Sequence, residues 1–121
     1  MDIYREEILE HWRNPLNFGR LGDADIVIDQ VNPLCGDQVT FYFKIKKGKI
    51  EKVSFEGSGC AISVASASML SEAIKGKRVE DLAKITGKDV LTLIGGSVAP
   101  ARLKCAFLAL EAVRKLKTQS G

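Results

Sequence analysis

The 121-residue sequence has no fourth cysteine. It holds Cys35, Cys60 and Cys105, an odd number that cannot all close into disulfides within one chain. It has no apolar run long enough to span a membrane, and Asp2, Arg5, Glu6 and Glu7 at the start are unlike a secretory signal. These absences point to a reducing cytoplasm, where thiols stay available as ligands. There is no internal repeat, no low-complexity tract and no linker, so one domain is expected over residues 1–121. A strong charge of either sign is missing too. The net charge is +3 and the signs are interspersed, which argues against a nucleic-acid partner. Only Lys44, Lys46, Lys47, Lys49 and Lys52 cluster, where a solvated hairpin tip would lie. Histidine occurs once, as His11, and reads as a polar residue on an amphipathic helix rather than a ligand.

What is present is an ordinary globular composition, 45% hydrophobic and 27% charged. Residues 2–13 read as a helix with Ile3, Ile8, Leu9 and Trp12 as apolar positions, ended by Asn14-Pro15. A loop over 14–23 leads to strand signals at Ala24–Val31, Val39–Lys46 and Lys52–Glu56, with Lys47-Gly48 as a tight turn. Val39, Phe41, Phe43 and Ile45 alternate with Thr40, Tyr42, Lys44 and Lys46, a buried face against a wetter one. The period then changes. Ala61–Lys75 reads as a helix with Ile62, Ala65, Met69 and Ala73 on one stripe, stopped by Gly76. Shorter helices are expected over Val79–Ile85 and Lys88–Ile94. Pro100 opens a last helix that runs to about Lys117, with Leu103, Phe107, Leu110 and Val113 on its stripe. Strands followed by helices predict an α+β, two-layer fold: a small three-stranded antiparallel sheet packed by helices.

Each cysteine alone reads first as a small inert core residue, and context changes that. Cys35 follows Pro33 and precedes Gly36, which is a loop or strand end. If Cys35-Gly36-Asp37 is extended, thiol and carboxylate project to the same side and can share an ion; a turn-capping role for Asp37 stands equally open. Cys60 follows Gly57-Ser58-Gly59 and immediately precedes a helix, whose N–H groups and dipole favour a thiolate. Ser63, Ala65, Ser66, Ala67 and Ser68 read as small residues for close packing. Cys105 follows Lys104, a cation that would ease thiol ionisation unless it simply points into solvent. Three thiolates and a carboxylate can fill a tetrahedral metal site, with the carboxylate as its more exchangeable corner. The intervals between the cysteines rule out a knuckle of two close pairs, so the fold must assemble any such site from distant elements.

Taken together, these segments resemble the IscU/NifU-type iron–sulfur cluster assembly scaffolds over nearly the whole chain. The likeness is carried by Asn32-Pro33-Leu34-Cys35-Gly36-Asp37, by Gly59-Cys60-Ala61-Ile62-Ser63 with Ala65-Ser66 and Ser68, and by Cys105 five residues after Pro100. Tyr4, His11, Asn14-Pro15, Asn17 and Gly19 are similar to the family's opening segment. The resemblance implies a SufE/NifU-like fold and a scaffold, not an enzyme, on which a [2Fe–2S] cluster is built. It implies Cys35, Cys60 and Cys105 as ligands to iron, with Asp37 as a labile ligand or release element, and Cys105 as the acceptor of persulfide sulfur. The implied partners are a pyridoxal-phosphate cysteine desulfurase, a reductant, and apo-protein acceptors or carriers. A chaperone and a cluster-bridged homo-oligomer are further implied partners, and zinc is implied as an alternative occupant.

Two positions depart from the IscU pattern. Lys104 stands where IscU members usually carry histidine, as in the SufU branch, yet the Cys60–Cys105 interval is too short for the extra SufU segment. Val98-Ala99-Pro100-Ala101-Arg102 keeps only the proline of the Leu-Pro-Pro-Val-Lys element that a dedicated Hsp70 chaperone reads, with Arg102 in place of the lysine. Two other readings stand beside the scaffold. One is a zinc-dependent sulfurtransferase of the SufU kind; the other is a structural zinc domain that binds proteins, disfavoured because an exchangeable carboxylate suits a closed site poorly.

Overall fold

The computed structural model describes residues 6–33, 36–96 and 98–120. Ile3, Tyr4 and Cys35, named above for sequence reasons, lie outside the described residues.

The sheet follows from the alternation. Strands β1 (Ile26–Val31), β2 (Gln38–Lys46) and β3 (Lys49–Ser58) form an antiparallel meander in the order β1-β2-β3. Ile26 faces Phe43 and Val31 faces Gln38 across β1–β2, while Gln38 faces Ser58 and Lys46 faces Lys49 across β2–β3. The β2–β3 turn is Lys47-Gly48, with φ of 53° and 77°, the doubly left-handed pair that suits a two-residue hairpin loop. On the inner face Ile28, Val39, Phe41, Phe43, Val53 and Phe55 are buried. The Phe41 ring stacks with those of Phe43 and Phe55 at centroid distances of 5.8 and 5.7 Å. The outer face is less wet than the alternation predicts. Tyr42 is buried there because its hydroxyl donates to Glu56 and Arg20 closes on it as well.

Helix α1 (Glu6–Arg13) buries Ile8 alone, and Trp12, expected on its apolar face, is 46% exposed. The described part of α1 places one residue in the core, and the chain leaves the helix where Asn14 N–H donates to the Glu10 carbonyl. The following loop is pinned rather than loose. Leu16 N–H donates to Ser68 Oγ, Phe55 N–H to the Asn17 carbonyl and Gly19 N–H to the Phe55 carbonyl, so Phe18 lies beside β3.

Helix α2 (Ala61–Ile74) is buried on more than the single stripe expected. Val64, Ala67, Leu70 and Ile74 join the core against the sheet, while Ile62, Ala65 and Met69 join a second core with Ile8, Ile94, Val98 and Ala106. A helix held between two cores must be apolar or small nearly all round. Ser63, Ser66, Ser68 and Ser71 serve this by their size, and all four are buried. Gly76, at φ 77°, follows the helix.

Val79–Lys84 is wound as a 3-10 helix, tighter than the α-helix expected. Helix α3 (Gly87–Leu93) starts on a capping box in which the Thr86 hydroxyl accepts from Asp89 N–H and the Asp89 carboxylate from Thr86 N–H. A 3-10 turn at Pro100–Arg102 leads into α4 (Leu103–Ser120), which packs on α2 and the sheet. Cys105 therefore stands in the first turn of α4.

This topology sets the site. The start of β2, the end of β3 and the starts of α2 and α4 converge at one end of the molecule. The Lys47-Gly48 turn lies at the other end of the β2–β3 hairpin.

Candidate metal centre

Asp37 enters from the loop between β1 and β2. That loop is closed by Asn32 N–H donating to the Asp37 carbonyl at 2.8 Å, with Val31 and Gln38 paired just outside it. Gly36 has a φ of 77°, so the backbone is not extended at this residue, as the same-side argument needed it to be. Glycine accepts this backbone where other residues resist it. Asp37 is brought to the centre by the hairpin bend rather than by strand alternation.

Cys60 is the N-cap residue of α2, with φ −73° and ψ 166°. Its side chain does not cap the helix, so the sulfur is available to face the neighbouring elements. The N-terminal turn of α2 carries no acidic residue of its own, and the carboxylate that meets its positive end is that of Asp37, bound by Ser63. Cys105 comes from the first turn of α4 and is buried, whereas Cys60 is half-buried.

One ligand atom each from Asp37, Cys60 and Cys105 lies within 4.8 Å of the others. A tetrahedral ion with metal–sulfur bonds of about 2.3 Å holds its ligand atoms roughly 3.8 Å apart, so closure needs movements of about an ångström or less. Two soft sulfurs and a carboxylate oxygen are a donor set suited to zinc or to an iron–sulfur cluster.

Burial pushes the Cys105 thiol up to about 12; Cys60 and Asp37 beside it push the same way, and Ser63 opposes them. Of the two readings of Lys104, the one in which it points into solvent holds. That lysine is exposed and lines a cleft with Gln30, Pro33 and Glu111, and desolvation decides the thiol's state. In the metal-free chain Cys105 is held as a neutral thiol, and an arriving cation would displace its proton.

Sequence reasoning missed Ser63. Its hydroxyl donates to Asp37 Oδ2 at 2.6 Å and lies 3.6 Å from Cys60 Sγ. The signal was there in the spacing, since a residue three positions after a helix N-cap shares its face. His11 is not part of the cluster. It is half-buried, with Nδ1 2.7 Å from Ser68 Oγ, so it ties α1 to α2 instead of standing on the surface. Beside the Gly57–Gly59 rim, Trp12 and Phe18 are 46 and 53% exposed.

Residues 3–117 match the family described as the NifU-like N terminal domain. The chain belongs to that family. It is 39% identical over 113 residues to a protein of Archaeoglobus fulgidus named iron-sulfur cluster assembly scaffold protein IscU 1, covering 93% of this chain and 73% of that one. It is 42% identical over 130 aligned positions to the zinc-dependent sulfurtransferase SufU of Bacillus subtilis, covering 93% of this chain and 88% of the other. That alignment is longer than the chain itself, so the Bacillus protein carries inserted residues. Among solved structures, a SUF-system scaffold protein described as putative, from Fervidobacterium islandicum, superposes with a TM-score of 0.77 at 30% identity, covering 93% of this chain and 94% of that one. The two-layer α+β fold with a three-stranded antiparallel sheet is thus the fold of the NifU/SufU N-terminal domains.

Proposed function

We propose that the chain is an iron–sulfur cluster assembly scaffold that builds a [2Fe–2S] cluster on Cys35, Asp37, Cys60 and Cys105 and releases it to apo-proteins or carriers. The observation that carries this reading is the convergence of the Asp37 carboxylate with the Cys60 and Cys105 sulfurs within 4.8 Å, at the meeting point of four elements. The Archaeoglobus relative is named for this activity. Cys35 enters the proposal through its position two residues before Asp37.

The cluster is cargo. Once an arriving cation has displaced the Cys105 proton, a cysteine desulfurase delivers sulfur as a persulfide on Cys105, and a separate reductant supplies the two electrons that turn each persulfide sulfur into sulfide. The protein contributes ligands and a carboxylate that can let go. It has no turnover of its own in this reading, and it works in a reducing cytoplasm. Among the described residues no helix is long and apolar enough to cross a membrane. The exposed Trp12 and Phe18 beside the rim are the kind of surface on which a donor or acceptor protein docks.

The likeness to the Bacillus sulfurtransferase, together with Lys104, favours one second reading: a zinc-bearing acceptor of persulfide sulfur. Anaerobic incubation with iron, cysteine and a desulfurase separates the two. A scaffold turns red-brown with sulfide-to-iron absorption and loses the colour in Cys35→Ala. A colourless, zinc-loaded protein that still stimulates the desulfurase supports the sulfurtransferase.

A further inference from the structure

Ser63 lies where a packing residue is expected, yet its hydroxyl is committed to the centre. It is buried, three residues into α2 beyond Cys60, with its oxygen 2.6 Å from Asp37 Oδ2 and 3.6 Å from Cys60 Sγ. A serine hydroxyl has one proton to give. The short contact to the carboxylate claims it, so toward Cys60 Ser63 can act only as an acceptor. Asp37 belongs to a hairpin loop and Ser63 to the first turn of a buried helix, so the hydrogen bond fastens a loop carboxylate to rigid scaffold. Groups that orient a ligand in this way commonly change metal affinity by about 10–100-fold when removed.

We propose that Ser63 is the positioning residue for the exchangeable corner of the centre: it holds the Asp37 carboxylate over the two sulfurs and sets how fast a bound ion leaves. This rests on the reading in which Asp37, Cys60 and Cys105 share an ion. Without the hydroxyl the carboxylate loses this hold on the helix, and the corner opens more often.

The test uses the whole chain loaded with cobalt(II) alone, whose d–d bands report the coordination around the ion and whose sulfur-to-cobalt charge-transfer bands report the thiolates. Ser63→Ala should keep the charge-transfer bands, alter the d–d bands, and lose cobalt to a chelator about tenfold faster. Ser63→Thr, which restores a hydroxyl, should behave as the parent protein. In an Asp37→Ala background, Ser63→Ala should add nothing, because its effect runs through the carboxylate. Should Ser63→Ala not fold, the near-isosteric pair Ser63→Thr and Ser63→Val carries the same comparison. Unchanged release in Ser63→Ala overturns the assignment. So does equal acceleration with or without Asp37, and so does loss of the charge-transfer bands, which would mean that the serine merely supports the fold. A parent protein that shows no sulfur-to-cobalt band overturns the shared-ion reading itself, and the serine's role with it.

Discussion

Gly59 and Asp37 pass so close that a Cβ on Gly59 would stand 2.5 Å from the Asp37 Cγ. Gly59 also has a φ of 150°, in the region that residues other than glycine resist. Gly59→Ala therefore meets both strain and a collision with a residue of the centre. It should cost roughly 1–3 kcal/mol of stability through the backbone alone. It should also displace the carboxylate, so that bound zinc per chain falls more than the loss of fold explains. Denaturant midpoints and metal analysis on the same preparations check this. A variant that keeps full zinc and full stability would mean that the loop yields without disturbing the centre.

The raised Cys105 thiol gives the metal-free protein a defined pH response. In the unfolded chain a cysteine ionises near about 8.5. In the fold this one is pushed up to about 12, so the folded state keeps its proton while the unfolded state loses it. Stability is fully present below the unfolded value and falls as pH climbs from there toward the folded one. The urea midpoint of metal-free protein should drop between about pH 7.5 and about pH 9.5, and Cys105→Ser should lessen the drop. An equal drop in both proteins would assign the response to other groups.

The three strands, the two main helices and their order were legible because each carries a clean period: two in Val39–Lys46, and an apolar surface of helical length in Ala61–Ile74 and Leu103–Ser120. The second core around Ile8, Ile62 and Ile94 was not, because one stripe per helix is the default reading and α2 is apolar on two sides. Trp12 misled for a related reason, since a large apolar residue on a short helix need not be covered. In the centre, Asp37, Cys60 and Cys105 were legible as chemistry, but their convergence depends on contacts between distant elements. Two local details escaped: the left-handed Gly36 that aims Asp37, and the serine that holds it. A hydroxyl on a helix of small residues reads as packing until its partner, 26 positions away, is known.

Ser68 illustrates the same ambiguity with a structural outcome. It is fully buried, and its hydroxyl meets both Leu16 N–H at 2.8 Å and His11 Nδ1 at 2.7 Å. Ser68→Ala leaves these groups without that partner and should destabilise the fold by roughly 1–3 kcal/mol. Ser68 is more than two helical turns from Cys60, so zinc per folded chain should be unchanged. Thermal unfolding with metal analysis distinguishes this from Gly59→Ala, where both readouts should move.

Asp37→Ala addresses the step for which the carboxylate is suited. Thiolates hold iron firmly, while a carboxylate oxygen is the harder and weaker donor and the corner an acceptor's thiol can displace. A carboxylate that is present but loosely held opens the corner and speeds release, whereas removing Asp37 altogether takes away the group that yields and leaves the sulfurs that do not. Cluster assembly, followed by the growth of sulfide-to-iron absorption, should slow little. Transfer to an apo-ferredoxin, followed by the acceptor's own spectrum, should slow about tenfold, the scale on which changes around a metal centre act. The change also removes the acceptor of the Ser63 hydroxyl, so an Asp37→Asn variant is the better-matched control: it keeps an oxygen for that hydrogen bond and loses the charge. Slow transfer in both variants assigns release to the carboxylate's charge, slow transfer in Ala alone assigns it to an oxygen donor at that corner whatever its charge, and parental rates in both remove Asp37 from the release step.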